Sequence, residues 1–230
     1  MHTGNPVKNF ILITVLMIGG LSQIAVADHY HNGKVSESTL NAMLDASKIG
    51  HLYLIQPATS EIGFCIDSKF KQVKGVFQDI RGGFTLESTG KDNCLALLTI
   101  RADSVSTSSS LVDHVIKSET FFDTEKYPEI LFESTGFKWL SDTSGVMQGK
   151  LTLHGVTRAV TSSVTLIDPE GGDVGDSNTL HIKISTAVKR SDFDMESMPD
   201  MVSDKVRLCM RVQASKPDAA QTVMQTSIMH

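Results

Sequence analysis

The spacing of apolar positions along the chain is dominated by a period of two. Ile62, Phe64, Ile66, Ser68 and Phe70 fall on one face of an extended segment, and Gly63, Cys65, Asp67 and Lys69 on the other. That alternation predicts a half-buried strand. The same rule sets Leu98, Ile100 and Ala102 opposite Thr99, Arg101 and Asp103 in a strand over Leu95–Val105. It also predicts strands over Val73–Leu86, Ile130–Thr135 followed by Phe137–Leu140, Gly145–His154, Ala159–Ile167, Leu180–Val188 and Lys205–Ala214. Arg81-Gly82-Gly83 is expected to break the second of these, since a glycine pair inside a strand marks a bulge or bend that curls a sheet.

Two segments switch to helical spacing. Leu40, Met43 and Leu44 share a face between Ser36 and Ile49. Ser36 or Ser38 can cap this helix, Glu37 suits its first turn, and Gly50 ends it. It is expected to pack on the outside of the main domain. Leu111, Val115 and Phe122 recur at helical spacing in a second helix, Ser110–Glu119. About eight strands, one internal helix and no strand–helix alternation give an all-β antiparallel sandwich or closed barrel. Closure would remove exposed strand edges. An eight-stranded barrel can be filled by side chains or can hold one small ligand.

The stretch Phe121–Phe137 changes the picture from architecture to chemistry. It gathers Phe121, Phe122, Tyr127, Phe132 and Phe137 in a chain with few aromatics elsewhere. Pro128 fixes its own φ and pushes Tyr127 into extended geometry, so an irregular corner feeds the strand from Ile130. That strand alternates Ile130, Phe132 and Ser134 with Leu131, Glu133 and Thr135. Phe64, Ile66, Phe77, Phe121, Phe122, Phe132, Phe193, Met195, Met198 and Met201 exceed what a strand-to-strand core needs; all of them but Met201, with Ile100, Ile130 and Leu153, are the candidate ligand-binding residues. Methionine adapts to a variable apolar guest. Filling of the barrel by these same side chains is the competing account.

Composition excludes several classes. A formal charge of −5 over 230 residues argues against nucleic-acid binding, which wants a basic face. Lys8, the apolar run Phe10–Leu21 and Ala25-Val26-Ala27 read as a signal peptide cleaved after Ala27. The mature chain is then expected in the periplasm. Cys65, Cys94 and Cys209 form no C-x-x-C, and their spacing leaves both a cross-strand disulfide and buried thiols open. His29 and His31 flank Tyr30 in a polar lead read as a solvated tail rather than a metal site. No nucleophile elbow, zinc motif or phosphate loop is present, so neither catalytic residues, a metal nor a cofactor are expected. Asp113, His114 and His154, and the pairs Asp192/Asp194 and Asp200/Asp204, are better explained by capping and solvation.

Four ordered blocks resemble the YceI-like family, exported lipocalin-like proteins that bind polyisoprenoids. Asp113-His114, Ser118-Glu119-Thr120-Phe121-Phe122-Asp123, Tyr127-Pro128-Glu129-Ile130 and Phe132 resemble its D-x-H-L…FFD…YP-x-I-x-F signature. Ile62-Gly63-Phe64 with Val73-Lys74-Gly75-Val76-Phe77 resembles its opening strands. The segment from Gly149 to Arg158 is similar to G-x-L-T-x-x-G-V-T, and Arg190-Ser191-Asp192-Phe193 to R-S-D-F-G, ahead of a closing strand over Val206–Ala214. Asp194 and Ser68 depart from the family's usual Gly and His. The resemblance implies an eight-stranded antiparallel barrel over 51–216, holding an isoprenoid lipid or quinone. A helical extension over 28–50 and a tail over 217–230 look like additions. It also implies a homodimer as one partner state. A non-catalytic accessory or stress role on a membrane b-type cytochrome, and a lipid-modifying enzyme, are the alternatives.

Overall fold

The protein, described from a computed structural model, is resolved into elements over residues 35–86, 94–167 and 178–217. The leader, the His29/His31 pair, the 88–93 turn, most of the 168–178 loop and the tail from 218 lie outside the described residues. The segments in order are α1 (Glu37–Lys48), β1 (Leu52–Ile55), β2 (Glu61–Ser68), β3 (Gln72–Phe77), β4 (Ile80–Thr85), β5 (Ala96–Arg101) and β6 (Val105–Ser106). Then follow α2 (Ser110–Lys117), β7 (Glu129–Trp139), β8 (Ser144–Leu153), β9 (Val156–Leu166), β10 (Thr179–Lys189) and β11 (Val202–Ser215).

These segments make an eight-stranded barrel because three of its strands are each broken in two. β1 and β2 lie end to end along β11, β4 and β3 lie along β1 and β2, and β5 and β6 lie along β4 and β3. From there β5, β7, β8, β9, β10 and β11 pair in sequence order, all antiparallel. Leu54 opposite Ser215 closes the ring. The three breaks sit side by side, at the short 3-10 turn Pro57–Thr59, at Gln78-Asp79 and at the 3-10 turn Ala102–Ser104. They form a crease across one wall, stitched by Gln78 N–H to the Ser104 carbonyl and Arg101 N–H to the Asp79 carbonyl.

The expected break at Arg81-Gly82-Gly83 is therefore displaced, and the glycines lie inside β4. Their role is close approach. A Cβ on Gly82, whose φ is +154°, would stand 2.2 Å from the Leu97 carbonyl oxygen. The two pieces expected beyond Ile130 are one strand, bent by a bulge between Ser134 and Gly136. The turn expected at Gly155–Arg158 is shorter, a two-residue turn at His154-Gly155 with both φ positive, the geometry that joins right-twisted strands.

α1 starts where Ser36 Oγ accepts from Thr39 N–H, and it packs outside the barrel. Met43 buries against Leu97 and Leu131. Ser36 and Thr39 hydroxyls both donate to the Glu133 carboxylate, which the helix covers. The rest of the core is one contiguous apolar cluster inside the barrel.

Candidate ligand-binding cavity

The strand directions send four connections to one end of the barrel. They are the β2–β3 turn, the excursion from β6 through α2 to β7, the His154-Gly155 turn and the Arg190–Met201 loop. The period-two pattern turns Phe64, Ile66, Ile100, Ile130 and Leu153 inward beneath them. Together they enclose a cavity of about 460 Å³, inside the range of roughly 300–1,000 Å³ typical of small-molecule sites. Phe70, Leu111, Met198 and Met201 also border it and are exposed, so the cavity opens at this end.

Aromatic rings build the upper wall. Phe122 arrives from the corner after α2 and meets Phe64 at 6.0 Å and Phe77 at 5.9 Å between ring centroids. Glycines let two of the rings lie along the wall rather than across the lumen. A Cβ on Gly75 would stand 2.5 Å from the Phe64 ring, and one on Gly149 would stand 2.4 Å from the Phe132 ring. Flattened rings leave space that a bulkier neighbour would take away.

The wall's polar groups are few and mostly spent. Ser68 donates to the Lys71 carbonyl at 2.7 Å and Thr186 to the Thr161 carbonyl at 2.7 Å. Arg190 is the one titratable side chain among the described lining residues. Its guanidinium donates to the carbonyls of Met195, Ser197, Val202 and Ser203 and lies 5.9 Å from the Phe121 ring centre. It ties the mouth loop to the barrel. Ser162 is buried on the wall and has no hydrogen-bond partner among the described residues. At the loop's foot Asp204 accepts from Ser191 N–H and hydroxyl, both at 2.9 Å. The backbone bond from Ser191, with its hydroxyl and Arg190 adding, holds this carboxyl below the usual carboxylate range.

Eleven of the twelve candidate residues border this cavity: Phe64, Ile66, Phe77, Ile100, Phe121, Phe122, Ile130, Phe132, Leu153, Met195 and Met198. Phe193 does not. The chain reverses at Asp194, which is left-handed at φ +58°. Phe193 is thereby only 1% exposed, with its carbonyl 3.0 Å from His154 Nδ1. Ser134, on the Ile130 face by alternation, does not border the cavity either; its hydroxyl accepts from Ala96 N–H at 2.7 Å, just before the bulge that follows it. Sequence reasoning passed over the far wall, where Val160, Ile184, Val206 and Met210 complete the lining. Their alternation was visible, but nothing in it said which phase faced inward.

His154 stacks edge-on against Tyr127 at 4.7 Å, and Asp113 accepts from Thr107 N–H and hydroxyl. Cys65 and Cys209 are free thiols on adjacent strands, opposite Arg207 and Gly63 respectively.

Known proteins share this architecture. A UPF0312 protein of Pseudomonas putida (strain W619) is 30% identical over 144 residues, 63% of this chain and 74% of that protein. The crystal structure of Burkholderia cenocepacia BcnA superposes with a TM-score of 0.64 at 19% identity, covering 70% of this chain and 99% of that one. A polyisoprenoid binding domain from Saccharophagus degradans superposes at 0.54 with 16% identity, covering 72% and 98%. At these identities the two structures show a common fold. The sequence model of the YceI-like domain matches residues 53–214, which is the barrel from its first strand to its last. By that match, the chain belongs to the YceI-like family.

Proposed function

We propose that the protein is a periplasmic carrier or sequestering protein that holds an isoprenoid-type lipid or a quinone inside the barrel. One observation carries this: an apolar cavity of about 460 Å³ whose polar groups, Ser162 apart, are bonded to the protein itself. Such a wall offers burial rather than chemistry. Each buried methylene is worth about 0.8 kcal/mol, so a chain of a few isoprenoid units can be held without charge pairing. The Ser162 hydroxyl is available to a polar group on the ligand. A lipid-modifying enzyme would need two titratable groups converging in the lumen, and the described wall supplies Arg190 alone. The fold shared with a polyisoprenoid binding domain supports the same choice of ligand.

Native mass spectrometry of protein purified from membrane-containing cells tests the reading. A co-purified isoprenoid alcohol or quinone is expected. Protein that neither carries such a molecule nor takes one up from detergent would overturn it. A second copy of the chain is the partner expected beside the carrier role, and a membrane b-type cytochrome belongs to the alternative reading of an accessory or stress protein. Size measurement in solution and pull-down from membranes test them.

A further inference from the structure

Of the seven exposed large apolar side chains among the described residues, Ile49, Leu140 and Ile167 lie away from the cavity and the other four gather at its mouth. Phe70 is 82% exposed, Leu111 72%, Met198 47% and Met201 37%, and all four stand on the lip of the cavity. They come from three separate segments: the β2–β3 turn, the first turn of α2 and the loop before β11. The Lys69 N–H donates to the Met201 carbonyl at 3.0 Å, which ties the first segment to the third. The result is a ring of apolar tips around a hole, continuous with the apolar wall below.

We infer that this rim is a membrane-docking surface, which seats the mouth of the barrel in the interface of a lipid bilayer. The inference builds on the reading of the cavity as a lipid site. Exposed contiguous apolar patches mark interaction surfaces. Separate protruding tips fit a fluid surface better than a flat protein partner. The continuity of rim and wall lets an apolar chain pass from hydrocarbon to cavity without crossing water. Lys69 and Lys71 flank Phe70 and can keep their ammonium groups at headgroup level while their stems lie against lipid. Asp67, Asp192, Asp194, Glu196 and Asp200 are also exposed on these segments, so the rim as a whole is not basic. Docking is therefore driven by apolar insertion and does not select anionic lipid.

Phe70→Trp places an indole on the rim, and Ile167→Trp places one at the opposite end, where Ile167 is 51% exposed. Both proteins are mixed with vesicles of brominated phosphatidylcholine, which quenches indoles that enter the bilayer. We expect at least two-fold quenching for Phe70→Trp, little for Ile167→Trp, and no loss of the effect in high salt. Equal quenching of both, quenching of neither, or loss in salt would overturn the rim's role. Absent quenching together with a solution dimer that Phe70→Asp splits would assign the rim to a second copy instead. Paired Phe70→Asp and Leu111→Asp should slow delivery of a fluorescent isoprenoid alcohol to vesicles at least ten-fold, counted per molecule of alcohol that each protein still retains in vesicle-free buffer. Delivery at the wild-type rate overturns the inference. If the alcohol is not retained at all, the carrier reading fails, and the quenching comparison alone decides on docking.

Discussion

Arg190 carries a full positive charge at 4% exposure and faces four backbone carbonyls rather than a carboxylate. The arrangement uses the fixed fork of a guanidinium, which an ammonium cannot match. Arg190→Lys and Arg190→Ala should each destabilise the protein, the second by about 3 kcal/mol, because buried carbonyls lose their donors. Denaturant midpoints measure this. Ser162 gives the opposite expectation. Its hydroxyl bonds to no described residue, so Ser162→Val should keep or raise stability, while titration with a ligand bearing a polar head should show weaker binding. Asp204 adds a pH dependence of known sign. Its folded-state pKa is depressed, so the stability it contributes is present above the ordinary carboxylate range and is lost as pH falls through the lowered value. The effect is small because the group is exposed. The protection of the Ser191 amide, meaning its exchange rate relative to that of an unprotected amide at the same pH, should fall on acidification, and Asp204→Asn should remove that acid dependence.

At the scale of elements, the period of two made the lining strands legible. Phe64 with Ile66, and Ile130 with Phe132, could each be set on one face of a strand from spacing. What spacing could not show were the tertiary events that override it. The crease at Gln78-Asp79 exists because three neighbouring strands break together, which no single strand encodes. Phe193 reads as a lining aromatic until the left-handed turn at Asp194 folds it into the core. Glu133 sits on an outer face by alternation, yet it is 7% exposed because α1 lies over it. The capping signals of α1 were readable, but its landing place was not. The helix should contribute through packing at its centre. Met43→Ala is expected to cost about 2 kcal/mol, measured by denaturation, and to leave retention of a bound lipid intact because α1 lies outside the barrel.

The whole molecule is a container whose stability should answer to its contents. A ligand that binds only the folded barrel stabilises it by about 2.7 kcal/mol when present at a hundred times its dissociation constant. Thermal midpoints before and after organic extraction should differ accordingly, with the extracted protein melting lower. Equal midpoints would count against an occupied lumen.

The strand order carries one more consequence, for the birth of the molecule. From β5 to β11 every strand pairs with its neighbour in the barrel's sequence order, so those hairpins can form as the chain emerges. The seam between β11 and the β1–β2 strand is different, because it joins the two ends of the domain. Until β11 is made, the inner wall is an open, wet, apolar sheet with two bare edges. Such a sheet is an aggregation hazard. The final strand therefore acts as a latch, and a chain that stops before Ala214 should need a chaperone rather than a ligand to stay in solution.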